Sequence, residues 1–412
     1  MKKNPLLVSL ILLIFFVISF LTNIIGPLVP DIIKSFDLSL KMASFLPFSF
    51  FVAYGLMSVP SGFLIENYGE KKIMLVAFLI SSIGAFLFSN TGTYSFYLIS
   101  LFLIGTGMAM LQVAINPLLR TIGGEKEFAF NSVLGQMLFG LASFISPLVY
   151  SYIIKNVSDQ AESNNLIINL LKNLNIPGME WISLYWIFAI ISFIMVIVIS
   201  QVKLPIVEKK EDEKVGALQT HLTLLKKPIV LLYFIAIFCY VGTEVGVANW
   251  ISQFLETYHN INPQTQGAKT VSNFWGMMTL GTLLGLVLLK FIDSRKVLII
   301  NSIISILALI IALFGTSQQA LIAFPVIGFF IATMWSIIIS LALNSLSDSH
   351  GSFSGILVTG IIGGAFIPFI VGAIGDVFGL RTGLLFLIIT LLFILSIGFW
   401  AKPLINNKTF SN

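Results

Sequence analysis

Twelve apolar stretches, each long enough to cross a lipid bilayer as a helix, run through the 412 residues and dictate what the chain can become. They fall near 5–33, 42–65, 73–90, 94–119, 129–154, 183–202, 228–256, 267–290, 296–315, 320–346, 352–378 and 382–401. A spanning helix needs about 20 predominantly apolar residues. The predicted fold is therefore an all-α integral membrane protein with twelve transmembrane helices. A soluble alternative fails on charge, because only 10% of the residues are Asp, Glu, Lys or Arg, against about 25% in ordinary soluble domains. The Met1-Lys2-Lys3 start looks like that of a signal peptide. Its apolar run is too long and lacks a small-x-small cleavage site, so it reads as the first spanning helix.

The basic excess orients the array. With both termini cytoplasmic, 17 of the 23 Lys and Arg fall in cytoplasmic connections, which is the bias expected of an inner (plasma) membrane protein. The net charge of +5 then needs no nucleic acid partner; the partners expected are the lipid bilayer and a small molecule, with the monomer as the working unit. A lone thiol, Cys239, allows no intrachain disulfide, and His221, His259 and His350 fall in predicted connections, so no metal site is expected. Two longer connections interrupt the helices. The outward one, 155–182, carries a short surface helix at 166–174. The cytoplasmic one, 203–227, holds the charged run Glu208 to Lys214 and divides the chain into six-helix halves at 1–202 and 228–412. That is the layout of transporters built from two repeats. A shift of 221 residues lays Thr22-Asn23 on Thr243-Glu244, and Phe144-Ile145-Ser146-Pro147 on Ala365-Phe366-Ile367-Pro368.

After helix two comes Gly62-Phe63-Leu64-Ile65-Glu66-Asn67-Tyr68-Gly69-Glu70-Lys71-Lys72. The first glycine permits close helix approach, the second a tight turn, and the acid can pair with a base or cap a helix N-terminus. This spacing resembles the signature loop of the major facilitator superfamily, with Glu66 where Asp is usual. The resemblance implies two pseudo-symmetric six-helix bundles, with Gly62, Glu66, Gly69, Lys71 and Lys72 gating the cytoplasmic side. A degraded copy follows helix eight (Gly285, Asp293, Arg295, Lys296), and another ends helix eleven (Gly372, Asp376, Gly379, Arg381). Asp376 and Arg381 join the gating set.

A charge at mid-bilayer is costly and is retained mainly for function. Of the 18 carboxylates, 17 are read as lying in loops or at helix ends; Glu244, deep in helix seven, is the exception. With no Lys or Arg at its depth, it calls for a compensating positive charge, either a proton or a bound cation. Uncharged polar groups gather on helices one, four, five, seven, eight and ten. Asn23, Gln112, Asn116, Gln136, Asn249 and Asn273 are expected to meet hydroxyls. Trp250 or Trp275 is expected to stack on the apolar face of a sugar ring.

Three segments carry a closer resemblance: Gln112-Val113-Ala114-Ile115-Asn116-Pro117, Tyr240-Val241-Gly242-Thr243-Glu244-Val245-Gly246, and Gly360-Ile361-Ile362-Gly363-Gly364-Ala365 through Pro368. They resemble the fucose/glucose/galactose permease family of that superfamily, as do Asn4-Pro5 and the stretch from Asn131 to Gln136. The resemblance implies uptake of a monosaccharide driven by a proton or sodium gradient, with no cofactor. Two acids associated with proton coupling in the fucose branch, one in helix one and one in helix four, match Gly26 and Gln112 here. The acid at Glu244 is instead that of the glucose/galactose branch. Glu244 is therefore the expected ion-coupling residue, with Thr243 or Asn23 as further oxygen ligands if the ion is sodium. A uniporter and a multidrug exporter of the same fold are the alternatives, with a non-transporting sensor or scaffold behind them. No nucleophile–base pair, metal cluster or phosphate loop suggests an enzyme.

Overall fold

The computed structural model describes residues 5–124, 128–159, 164–205, 218–346 and 350–404. It has twelve helices long and apolar enough to cross a membrane. They are Pro5–Phe36 (α1), Leu40–Tyr68 (α2), Glu70–Asn90 (α3), Tyr94–Gly123 (α4), Phe130–Ser158 (α5), Glu180–Gln201 (α6), Pro228–His259 (α7), Pro263–Leu288 (α8), Ser294–Phe314 (α9), Ser317–Leu343 (α10), Ser352–Phe378 (α11) and Leu380–Trp400 (α12). The predicted surface helix is present as Leu166–Leu174, capped by the Asn165 side chain and seated on Ile168 and Leu171. His259 closes α7 instead of lying in a connection. Most of the predicted linker, 206–217, lies outside the described residues, and its end forms the short helix Leu218–Leu225.

Local chemistry breaks the helices where side chains must be aimed inward. Helix α1 stops at Thr22 and resumes at Ile25. Pro27 has no N–H for the carbonyl four residues back, and its ring clashes with it. The carbonyl concerned is that of Asn23. Helix α10 is interrupted between Ile331 and Met334, and α11 passes through a tighter turn at Gly360–Ile362. Helix α8 opens with a widened π turn, Pro263–Gly267. Gly69 and Gly379 end α2 and α11 at φ of 81° and 85°, a conformation that favours glycine.

The first six helices form one bundle and the last six another. In the first, α4 packs on α2 and α3, α3 on α6, and α1 on α5; in the second, α10 packs on α8 and α9, α11 on α7, and α12 on α9 and α11. The bundles meet along four pairs, chiefly α1 with α7, α2 with α11 and α5 with α8, and more narrowly α1 with α8. Without a hydrophobic drive between helices in lipid, close approach depends on small residues. At Gly26 a Cβ would lie 2.4 Å from the Ala248 carbonyl oxygen across the α1–α7 seam. Inside the first bundle, a Cβ at Gly105 would lie 2.3 Å from the Phe50 carbonyl oxygen.

That backbone contact cannot yield, so Gly105→Ala is expected to separate α4 from α2 at a cost of about 1–3 kcal/mol. Thermal unfolding in detergent should show a lowered midpoint. Gly92→Ala, whose Cβ would meet only Ile176 Cδ1 at 4.0 Å, should leave the midpoint unchanged.

Candidate functional site

Between the bundles lies a cavity of about 430 Å³, within the range of small-molecule sites. The bundles seal it toward the face that carries Lys34, Glu256 and Asp376, the far face. Toward the opposite face, which carries Pro5 and Trp400, it follows α5 and α8 down to Ser132, Val133, Leu283 and Leu286.

The two repeats contribute matching positions. Asn23, at the break in α1, and Glu244, on α7, are related by the 221-residue shift, and both line the cavity from opposite halves. Ser143 on α5 holds the Asn23 amide, accepting from Nδ2 at 2.8 Å. The atom left to meet a ligand is therefore the carbonyl oxygen. No Lys or Arg stands among the described lining residues. Tyr240, one turn earlier, is the hydrogen-bonding neighbour of Glu244, and its ring lies 6.0 Å from that of Trp335.

Three lining residues hold buried polar atoms with no partner among the described residues: Gln112 Oε1, Ser132 Oγ and Trp275 Nε1. A buried polar atom without a partner costs about 1–3 kcal/mol. The residues that carry them line the cavity, which puts an acceptor, a hydroxyl and a donor in its wall without a partner among the described residues. Gln136 adds an exposed amide lower in the cavity.

Other expected binding residues are placed elsewhere, and helical geometry explains each correction. At about 100° per residue, Asn273 points away from the cavity that Trp275 lines and is exposed. Trp250 is 1% exposed, packed into the core on another side of α7 from Glu244, and cannot stack on a ligand. Thr243 turns to α12, with its hydroxyl on the Cys239 carbonyl at 2.8 Å and beside Thr390 Oγ1 at 2.6 Å; it does not line the cavity with Glu244. Asn116, one turn beyond Gln112, is exposed and outside the cavity. Asn249 borders only a void of about 10 Å³ beside Thr22, Asn23, Gly26 and Trp275. Its Nδ2 is buried without a partner among the described residues.

Of the gating residues, Asp376 makes the clearest contact between halves. Its carboxylate accepts the N–H groups of Leu40 at 2.6 Å and Lys41 at 3.0 Å, capping the start of α2. The Gly372 backbone packs against the Leu40 carbonyl, 2.7 Å from where a Cβ would sit. Arg381 stays within its own half, over the Tyr258 ring at 4.5 Å. Lys71 likewise donates within its half, to the Ser200 carbonyl at 2.9 Å. Glu66 and Lys72 are exposed at the face carrying Pro5, whereas Gly62 is buried there.

The inventory of membrane carboxylates also needs correction. Asp31 is 6% exposed within α1, which runs on to Phe36 past Pro30. The first stretch, read as ending near residue 33, made Asp31 look terminal. Tyr54, Tyr240, Trp335 and Thr279 complete the cavity wall, and no residue pattern singled out Tyr54 or Thr279. Tyr240 was legible as the residue one turn before Glu244.

The major facilitator superfamily model matches residues 11–262. A glucose/galactose transporter of Brucella abortus is 30% identical over 395 residues, covering 94% of this chain and 92% of that protein. The L-fucose-proton symporter of Escherichia coli is 23% identical over 385 residues, covering 90% of this chain and 87% of that protein. The outward-facing crystal structure of the E. coli symporter aligns over 96% of this chain and 98% of its own, with a TM-score of 0.68. An inward-facing bacterial homologue of the lysosomal transporter Spinster, 14% identical, aligns over 97% of each chain with a TM-score of 0.79. This twelve-helix chain, with a cavity between two like bundles, belongs to the major facilitator superfamily.

Proposed function

We propose that the protein imports a monosaccharide of the glucose, galactose or fucose type by symport with a proton, exposing the cavity alternately to the two sides of the membrane. The observation that carries this reading is one cavity holding both a carboxylate without a cation and unpartnered hydrogen-bonding atoms on Gln112, Ser132 and Trp275. Neutral, directional groups suit hydroxyls, while Lys and Arg, which an anionic substrate would need, do not line it. The names of the similar glucose/galactose transporter and L-fucose-proton symporter support the sugar, and the latter supports the proton. Without an acid at Gly26 or Gln112, the coupling role falls to Glu244.

We place the half-boundary at 203–227 and both termini in the cytoplasm of the cell's inner membrane. On that assignment the far face is external and the described conformation opens inward. Asp376 then holds the external side shut by capping α2. Its spacing counterpart, Glu66, would do the same on the cytoplasmic side in the opposite state. Coupling follows if the halves rock freely only when proton and sugar are both bound or both absent, because a ligand shifts an equilibrium only by its differential affinity for the two states. One chain supplies the whole cavity, which makes the monomer sufficient.

Uptake of labelled hexose into proteoliposomes tests the function. An imposed inward proton gradient is expected to drive accumulation above equilibrium, and Glu244→Gln should reduce it to equilibration while hexose exchange continues. Accumulation by Glu244→Gln equal to that of the native chain would remove Glu244 from coupling. Accumulation driven by a sodium gradient alone would replace the proton with sodium.

Binding calorimetry separates cavity residues from their neighbours. Gln112→Leu and Trp275→Phe each remove a hydrogen-bonding atom and are expected to weaken hexose binding by about 1–3 kcal/mol, roughly 5- to 150-fold. Asn116→Ala and Asn273→Ala, outside the cavity, should change affinity by less than about twofold. The opposite ranking would move the binding site elsewhere.

A further inference from the structure

We infer that Asp31 is the latch of the far-face closure: it joins the two halves through Gln264 in this conformation and must release that partner each time the far side opens. The inference rests on alternating access by the two bundles. It assigns a positioning role to a second membrane carboxylate, distinct from Glu244.

Asp31 lies eight residues beyond Asn23, about 12 Å farther along the helix axis at 1.5 Å per residue, and does not line the cavity. Two neutral donors hold it. The Tyr150 hydroxyl donates to Oδ2 from α5, in the same half. The Gln264 amide donates to Oδ1 at 2.8 Å from α8, in the other half. Gln264 sits in the π turn Pro263–Gly267, fixed in front by Asn262, whose side chain accepts the Thr265 N–H at 3.0 Å. One turn closer to solvent, Lys34 pairs with Glu256 on α7; the Lys34 side chain is 61% exposed, and such pairs contribute little. The partly buried hydrogen bond therefore carries more of the closure than the exposed ion pair.

The two donors differ in what motion does to them. Tyr150 travels with Asp31, because α1 and α5 pack together in one bundle, so its bond survives rocking. Gln264 moves with the other bundle. Opening the far side leaves a carboxylate that has lost one of two donors, an energetic bias toward closure.

The test uses the full chain in lipid nanodiscs without sugar, in a Cys239→Ala background. Spin labels at exposed far-face positions, one per half, at Ser95 and Gln318, report the separation of the halves by electron–electron double resonance. Asp31→Asn and Gln264→Ala should each raise the far-open to far-closed ratio about fivefold or more, the equivalent of one hydrogen bond. Tyr150→Phe, which weakens Asp31 equally in both states, should not raise it. A merely structural Asp31 would lower thermal stability in all three variants with no change in the distances. If Asp31→Asn fails to fold, Gln264→Ala still decides, since it leaves the carboxylate in place. Unchanged distances in folded Gln264→Ala would overturn the latch. Hexose uptake by a protein whose distances ignore these substitutions would sink the latch alone; the expected distance changes without hexose uptake would sink the sugar reading alone.

Discussion

In a hydrocarbon layer every polar atom must be answered from within the protein, and the whole molecule is arranged around that constraint. Backbone groups are answered by helices. Many hydroxyls are answered by the carbonyl one turn back, as Ser58, Ser61, Ser81, Thr22 and Thr243 are. Against this background an unanswered polar atom is informative, though not by itself. Trp250, Ser252 and Ser305 also hold unpartnered buried atoms, in packed regions with no lining role. What sets Gln112, Ser132 and Trp275 apart is that each belongs to the cavity wall. A site in this membrane protein is therefore defined by two conditions together, an unmet hydrogen bond and room for the group that would meet it.

The same constraint shapes the seam between the halves. Two bundles that must part and rejoin need contacts that break and re-form over a small displacement. Here the seam combines backbone laid against backbone at Gly26 and Gly372, the rings of Phe45 and Phe48 on α2 against Phe366 and Phe369 on α11, and a few hydrogen bonds that cross it. Ser272 donates to the Phe144 carbonyl at 2.6 Å, Asp376 caps α2, and Gln264 reaches Asp31. Each is short-ranged and lost with a small displacement, so separation is abrupt. That favours two defined states over a continuum between them.

How far the sequence could be read depended on the kind of physics involved. Twelve spans were legible because a bilayer imposes a fixed length and composition on each, and the repeat was legible in Thr22-Asn23 against Thr243-Glu244. Cavity membership followed securely only from charge or a helix break; by residue type alone Gln112, Gln136 and Trp275, which line the cavity, looked no different from Asn116, Asn249, Asn273 and Trp250, which do not. Glu244 stands out because no base matches it, and Asn23 because Pro27 frees its carbonyl. Amides and indoles such as Asn273 and Trp250 carried no rotational information, since the hydropathy of a fully apolar helix does not say which side faces a neighbour, lipid or a void. Asn273 and Trp275 are two residues apart and face different surroundings. Asp31 was missed for a related reason: hydropathy placed the end of the first span near residue 33, whereas the helix continues to Phe36, because neighbouring helices secure its backbone past Pro30.

Gly26 and Glu244 are best understood together. A carboxylate that couples ion to substrate must sit where both halves reach it, and pseudo-symmetry offers such positions on α1 and α7. In the resembling fucose pattern the acid occupies the position of Gly26. In this chain that position is filled by the α7 backbone itself, since even a Cβ would lie 2.4 Å from the Ala248 carbonyl oxygen. An acid there would force α1 and α7 apart along much of the far-side seam. With the acid on α7 at Glu244, facing open cavity, the glycine contact can close without a charge inside it. Having the charge on α7 and not on α1 thus has a packing consequence whatever its role: it frees the seam to seal tightly.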